Sequence, residues 1–170
     1  MTYPRRKQFE HAVPNQICAE DAVFFITICC EPRSHNQLTI PELATHIFES
    51  VRLLHERGDW WMHFLLLMPD HLHALVSFPT NKTMIKVVSE WKKYVARTVG
   101  IQWQRDFFDH RLRHDESLRE KRDYVEQNPV RAGLVNNQTD WPYVWQPKKD
   151  AAERTEGEGA GVCRDATRRL

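Results

Sequence analysis

The sequence predicts an α+β fold, a ferredoxin-like antiparallel sheet with helices packed on it, and three observations carry that prediction. Apolar runs of strand length occur at 22–30, 60–68 and 71–78. Amphipathic stretches of helix length separate and follow them. The resulting order of strand, helix, strand, strand, helix and a further helix is fitted most simply by a βαββαβ arrangement.

Each element has its own signal. Residues 1–20 hold Pro4, Pro14 and scattered charges, and read as a basic N-terminal arm. AVFFITICC (22–30) is apolar, β-branched and aromatic, which predicts a buried strand. Thr39-Ile40-Pro41-Glu42 offers a capping box, with Thr39 at the cap and proline in the first turn. Leu43, Ile47, Val51 and Leu54 follow at helical spacing, with Gly58 as the stop. WWMHFLLLM (60–68) and HLHALVSF (71–78) predict two more strands, joined through Met68-Pro69-Asp70 closely enough for a hairpin.

A second helix is expected over 83–99, with Met84, Val88, Trp91 and Val95 on its apolar stripe and Gly100 after it. Lys86, Lys93 and Arg97 fall outside that stripe. Residues 103–113 mix aromatics with charge and include a short strand. A third helix runs from Asp115 to about Gln127, acidic at its start as the macrodipole favours, and Asn128-Pro129 stops it. Residues 130–135 form a last strand or an extended return. The domain thus spans 21–146, and 147–170, nearly free of large apolar side chains, is expected to be disordered.

A chain of 170 residues, 41% hydrophobic and 28% charged, is sized for one globular domain. No run approaches the roughly 20 apolar residues of a membrane span, and the basic start MTYPRRKQFEH leads into no apolar segment of signal-peptide type. Cys18, Cys29, Cys30 and Cys163 show no CxxC spacing. Adjacent Cys29 and Cys30 point to opposite faces of a strand and do not readily pair, so a reduced, cytoplasmic setting is expected. Net charge is only +1, yet residues 86–122 hold ten Lys or Arg against six Asp or Glu, and Arg5, Arg6 and Lys7 add to the arm. Such runs are either solvated faces or nucleic-acid contacts.

Two constellations carry chemistry. On a strand, His71 and His73 project to the same side, while Leu72, Ala74, Val76 and Phe78 form a wholly apolar opposite face. Two imidazoles on a rigid strand are two metal ligands or two surface histidines. Tyr124 and Asn128, four apart, share a polar helix face, with Leu118 and Val125 supplying the apolar contacts. From spacing alone Tyr124 is either a reactive phenol or an aromatic that caps the core with its hydroxyl in water.

MPDHLHALV resembles the HUH motif (U being hydrophobic) of single-tyrosine transposases. RDYVEQNPVRAGLV resembles the tyrosine-helix signature of the REP-associated tyrosine transposases, and WQRDFFDHRLRHDESL is similar to the segment linking the two. The resemblance runs from about Ala22 to Trp145, with both motifs in the family's order. It implies the HUH endonuclease fold and a divalent ion, Mg²⁺ or Mn²⁺, held by His71, His73 and Asn128. Tyr124 is then the nucleophile that cuts and rejoins single-stranded DNA near hairpins through a 5′-phosphotyrosine, without ATP. A prokaryotic, nucleoid-associated protein acting as monomer or homodimer follows from the same resemblance.

Candidate DNA contacts are Arg5, Arg6, Lys92, Lys93, Arg97, His110, Arg111 and Arg113. Trp60, Trp61, Trp103, Phe107 and Phe108 are candidates for base stacking, with at least three of the five expected in the core. Tyr94 is the competing nucleophile, expected to pack beside Trp91 and Val95. The competing functions are a domesticated binder of hairpin DNA or RNA that does not cut, and a metal phosphoesterase in which water attacks.

Overall fold

The computed structural model describes residues 22–113 and 117–147. The N-terminal arm with Arg5 and Arg6, and the tail from Lys148 onward, lie outside the described residues. The elements are β1 (Phe24–Cys29), α1 (Pro41–Glu56), β2 (Trp61–Met68), β3 (His71–Ser77), α2 (Met84–Val99), β4 (Phe108–Arg111), α3 (Leu118–Glu126), α4 (Asn128–Arg131) and β5 (Val144–Trp145). The strands form one sheet in the order β4-β1-β3-β2-β5, every neighbouring pair antiparallel. This is the expected ferredoxin-like sheet, extended by β5 at the β2 edge.

Strand alternation divides the sheet into two unlike faces. Ile26, Ile28, Leu65, Leu67, Leu72, Ala74 and Val76 meet Ile47 and Val51 of α1 and Val88, Trp91 and Val95 of α2 in the main core. Trp91 Nε1 donates to Ser50 Oγ at 2.9 Å, fastening the two helices inside that layer. Phe25, Phe64, Leu66, Met68 and Leu75 line the other face and meet Val125 of α3. Full burial of each large apolar side chain stabilises the fold by about 1.5–3 kcal/mol, so the α1/α2 layer carries most of the stability.

Several element ends differ from expectation. Thr39 does not cap α1: its hydroxyl and backbone N–H both donate to Asn36 Oδ1, at 2.9 and 3.0 Å, and Ile40 is the cap residue with no side-chain bond. Pro41 lacks one of the N–H groups a cap serves. Ser117 caps α3 instead, its hydroxyl accepting from Glu120 N–H.

Asn128-Pro129 does not end the helical path. The chain turns at Gln127 and resumes as α4, with Pro129 in the first turn where its missing N–H costs nothing. Val130 and Arg131 are therefore helical, and no strand forms at 130–135. The edge strand is Val144–Trp145, whose two residues are too few to show a period. Among the described residues no helix is long and apolar enough to cross a membrane.

Candidate active site

The two-residue turn Pro69-Asp70 places His71 at the first position of β3 and His73 two residues on. His73 pairs with Thr27 on β1 and Leu66 on β2, and His71 with Cys29 and Met68. Both imidazoles thus lie on the face that α3 covers, with ring centroids 4.9 Å apart and planes at 83°.

Each ring is held by its Nδ1. His71 Nδ1–H donates to Asp70 Oδ1 at 2.7 Å, and Asp70 is itself fixed by Arg33 Nε at 3.0 Å and the Ser34 N–H at 2.8 Å. Burial pushes the Asp70 carboxyl up, but the bonds from His71 and Ser34 and the Arg33 charge outweigh it and hold the group below its ordinary value. His73 Nδ1 shares a 2.9 Å hydrogen bond with Thr27 Oγ1, and the ring stacks on Phe25 at 5.4 Å and 22°. Burial, with the neighbouring His71, Lys121 and Arg33 charges, pushes the His73 imidazole down to about 3.

A neutral imidazole that donates its Nδ1–H, as His71 does to Asp70 and as His73 does if Thr27 Oγ1 accepts, presents its Nε2 lone pair, the form in which histidine binds metals. The pair therefore fits a divalent ion that accepts nitrogen ligands. Among the described residues no third His, Cys, Asp or Glu joins them. Asn128 Oδ1 accepts from Arg131 Nη1 at 3.3 Å, while Gln127 Nε2 turns away to donate to Gln138 Oε1.

Helix α3 brings Tyr124 to the same face of the sheet. Val125 is buried against Phe25, Phe64 and Leu75, and Tyr124, next along the helix, stands 54% exposed. Lys121 Nζ lies 4.5 Å from the Phe25 ring centroid and 5.6 Å from that of Tyr124. Phe25 in turn stacks on His73, so contacts run continuously from the phenol ring to the histidine pair. The Arg131 guanidinium sits 4.3 Å from the Tyr124 ring centroid, and its Nη1 donates to the Tyr124 carbonyl at 3.0 Å.

A family model described as IS200-like transposase matches residues 24–128 of this chain. The chain belongs to the IS200-like transposase family. The transposase is 28% identical over 139 residues to a Haemophilus influenzae protein assigned to the REP-associated tyrosine transposases, covering 71% of this chain and 77% of that one. It is 30% identical over 83 residues to the REP-associated tyrosine transposase of Escherichia coli, 46% of this chain and 49% of that relative. A solved REP-associated tyrosine transposase bound to a REP hairpin is similar to it with a TM-score of 0.64 at 23% identity, over 85% of this chain and 82% of the other. At that identity the likeness is one of fold.

The remaining expected site residues of the transposase are dispersed. Lys92 requires correction as a DNA contact. It is 7% exposed, and its ammonium donates to the Gln104 and Arg105 carbonyls at 2.7 and 3.0 Å inside the protein. Lys93 and Arg97 are exposed on α2, the layer opposite the histidines. Tyr94 is also exposed there, at 52%, and is not packed as expected. His110 pairs with Phe25 and shares the histidine face, whereas Arg111 pairs with Phe24 on the other. Arg113 is exposed just beyond β4. Of the five aromatics, Trp60, Trp103 and Phe107 belong to the main core, and Trp61 and Phe108 are exposed.

The sequence reading passed over four residues around the site. Lys121 stands three before Tyr124, the spacing of one helical face, and that signal was readable, whereas Arg131 lies beyond the expected stop at Asn128-Pro129, on α4. Asp70 adjoins His71 in the motif. Thr27 carried no signal, because the register of β1 on β3 is not written locally in either segment.

Proposed function

We propose that this transposase cuts and rejoins single-stranded DNA, near hairpins, through a covalent bond between Tyr124 and a 5′-phosphate. The observation that carries the reading is the convergence of an exposed tyrosine and a paired, Nδ1-anchored His71/His73 on one face of the sheet. The other candidate nucleophile, Tyr94, belongs to the opposite layer. The relatives' family and the hairpin-bound fold neighbour support a hairpin substrate.

In this reading Tyr124 Oη attacks phosphorus and the bond from phosphorus to the 3′-oxygen breaks. The phenol's proton passes to solvent and the departing 3′-oxygen takes one from it. Because the phosphodiester energy is kept in the tyrosine ester, a 3′-hydroxyl can reverse the step, and no nucleotide cofactor is consumed. Lys121 and Arg131, which lie against the Tyr124 ring, supply positive charge beside the place where the phosphate would sit. Mg²⁺ or Mn²⁺ held by His71, His73 and Asn128 would polarise the scissile phosphate as a Lewis acid. Phe108, exposed and opposite Thr27 on the site face, offers a ring for an unpaired base.

The test is a labelled hairpin with a flanking single strand, incubated with the protein and Mn²⁺. A covalent adduct mapped to Tyr124 by mass spectrometry, and absent in Tyr124→Phe, is expected. Cut DNA without adduct would instead mark a water-using phosphoesterase. Tight binding with neither product would mark a protein that grips hairpins without cutting them.

A further inference from the structure

Arg131 closes α4 with its side chain exposed, and the nucleophile helix gathers around it. Its Nη1 donates both to the carbonyl of Tyr124, at 3.0 Å, and to the amide oxygen of Asn128, at 3.3 Å. The guanidinium carbon lies 4.3 Å from the centre of the Tyr124 ring. An exposed arginine orders its long side chain at an entropic cost, and three contacts to two residues of one proposed site offset that cost.

We infer that Arg131 receives the scissile phosphate beside Tyr124 on its Nη2–Nε edge, while Nη1 keeps its bonds to the Tyr124 carbonyl and the Asn128 oxygen. The inference rests on the reading of Tyr124 as nucleophile. Geometry favours it, because a phosphate bonded to the phenol oxygen has to lie beside a ring already in contact with the guanidinium. Chemistry favours it too. Both bonds in the free protein come from Nη1, and the Nη2–Nε edge of a guanidinium is one that forks onto two phosphate oxygens. Bidentate arginine–phosphate pairs are strong and geometrically specific, and forming one here leaves the two Nη1 bonds in place. Lys121 is the less suited cation: half-buried and seated over Phe25, it offers a point charge with no fork.

The bland alternative is that Arg131 only clasps α4 to the end of α3 through the Tyr124 carbonyl. Single-turnover adduct formation at saturating oligonucleotide, with Mn²⁺, separates the two for wild type, Arg131→Ala and Arg131→Lys. DNA affinity against salt is measured alongside in a Tyr124→Phe background. We expect Arg131→Ala to slow adduct formation by about tenfold or more and to flatten the salt slope by about 0.7 for a single strand. Arg131→Lys should restore the slope but only part of the rate, since it keeps charge without the fork.

A rate within about twofold of wild type, or an unchanged slope, overturns the inference. Should Arg131→Ala fold poorly, Arg131→Lys decides. Its ammonium can still clasp the carbonyl, so a full rate supports the clasp alone and a clear loss supports phosphate contact. A wild-type protein that forms no adduct sinks the Tyr124 reading separately, and the salt slope still reports whether Arg131 meets phosphate.

Discussion

His73 and Thr27 face each other across the β1–β3 ladder, Nδ1 to Oγ1 2.9 Å apart, and this bond determines which nitrogen His73 turns outward. Thr27→Val keeps the side chain's shape and removes the hydroxyl. Outer partners of this kind typically contribute 10- to 100-fold, so Mn²⁺ affinity should fall by roughly that factor with the fold retained. Titration followed by the Mn²⁺ electron paramagnetic resonance signal measures it. An unchanged dissociation constant would show that His73 needs no such orientation.

His71→Ala and His73→Ala should each abolish cleavage. His71 is the cleaner of the two, because it lies at the strand start, whereas His73 is packed on Phe25 and its loss also opens space. Circular dichroism on both variants, beside the adduct assay, distinguishes a lost ligand from a lost fold. Wild-type cleavage by either variant in Mn²⁺ would remove the histidine pair from the mechanism.

Tyr94→Phe should cut DNA at the wild-type rate. Tyr94 stands on α2, across the sheet from His71 and His73, and no motion short of unfolding carries it through. An adduct found on Tyr94 would overturn both the assignment of Tyr124 and the sidedness of the site.

Lys92→Met should lower stability by about 1–3 kcal/mol, because the Gln104 and Arg105 carbonyls lose their donor in a part-buried position. It should leave the salt dependence of DNA affinity unchanged. Urea denaturation and filter binding at several salt concentrations give the two numbers. A flatter salt slope with normal stability would mean that the ammonium leaves the interior to meet DNA.

His63 predicts a pH dependence of stability. Its ring bonds the Ser77 hydroxyl at 2.9 Å, and burial, with the His55 charge, lowers its pKa below the ordinary imidazole value of about 6.5. Below pH 6.5 the unfolded chain binds a proton that the folded chain refuses, so this contribution is complete above that pH and is lost as pH falls through the folded value. The melting-temperature gap between wild type and His63→Gln should therefore be wider at pH 8 than at pH 5. Equal gaps would mean that the imidazole titrates normally in the fold.

Legibility in the sequence followed local periodicity. His71 and His73 could be placed on the polar side of a strand because Leu72, Ala74, Val76 and Phe78 are apolar without exception. α2 could be bounded because Gly100 ends it in the left-handed region. What depends on distant partners was not legible. Lys92 looked like any surface lysine, and only the return of residues 104–105 beneath it makes it an interior donor. Tyr94 looked packed because its neighbours in sequence are, although its own position on the helix points outward. β5 escaped because pairing with β2, and not its own two residues, makes it a strand. The helical turn beyond Asn128 was missed because proline reads as a stop when nothing shows that a second helix begins there.

The uneven anchoring of the helices has a kinetic meaning. α1 buries Ala44, Ile47, Ser50 and Val51, and α2 five residues, but α3 buries only Val125. Backbone amides of α3 should therefore exchange with deuterium through local opening, well before those of α1 and α2, which report the global transition. Of the three longer helices, the one that carries Tyr124 detaches most cheaply. In the proposed reaction the phenol would then follow a tethered strand without the sheet beneath it coming apart.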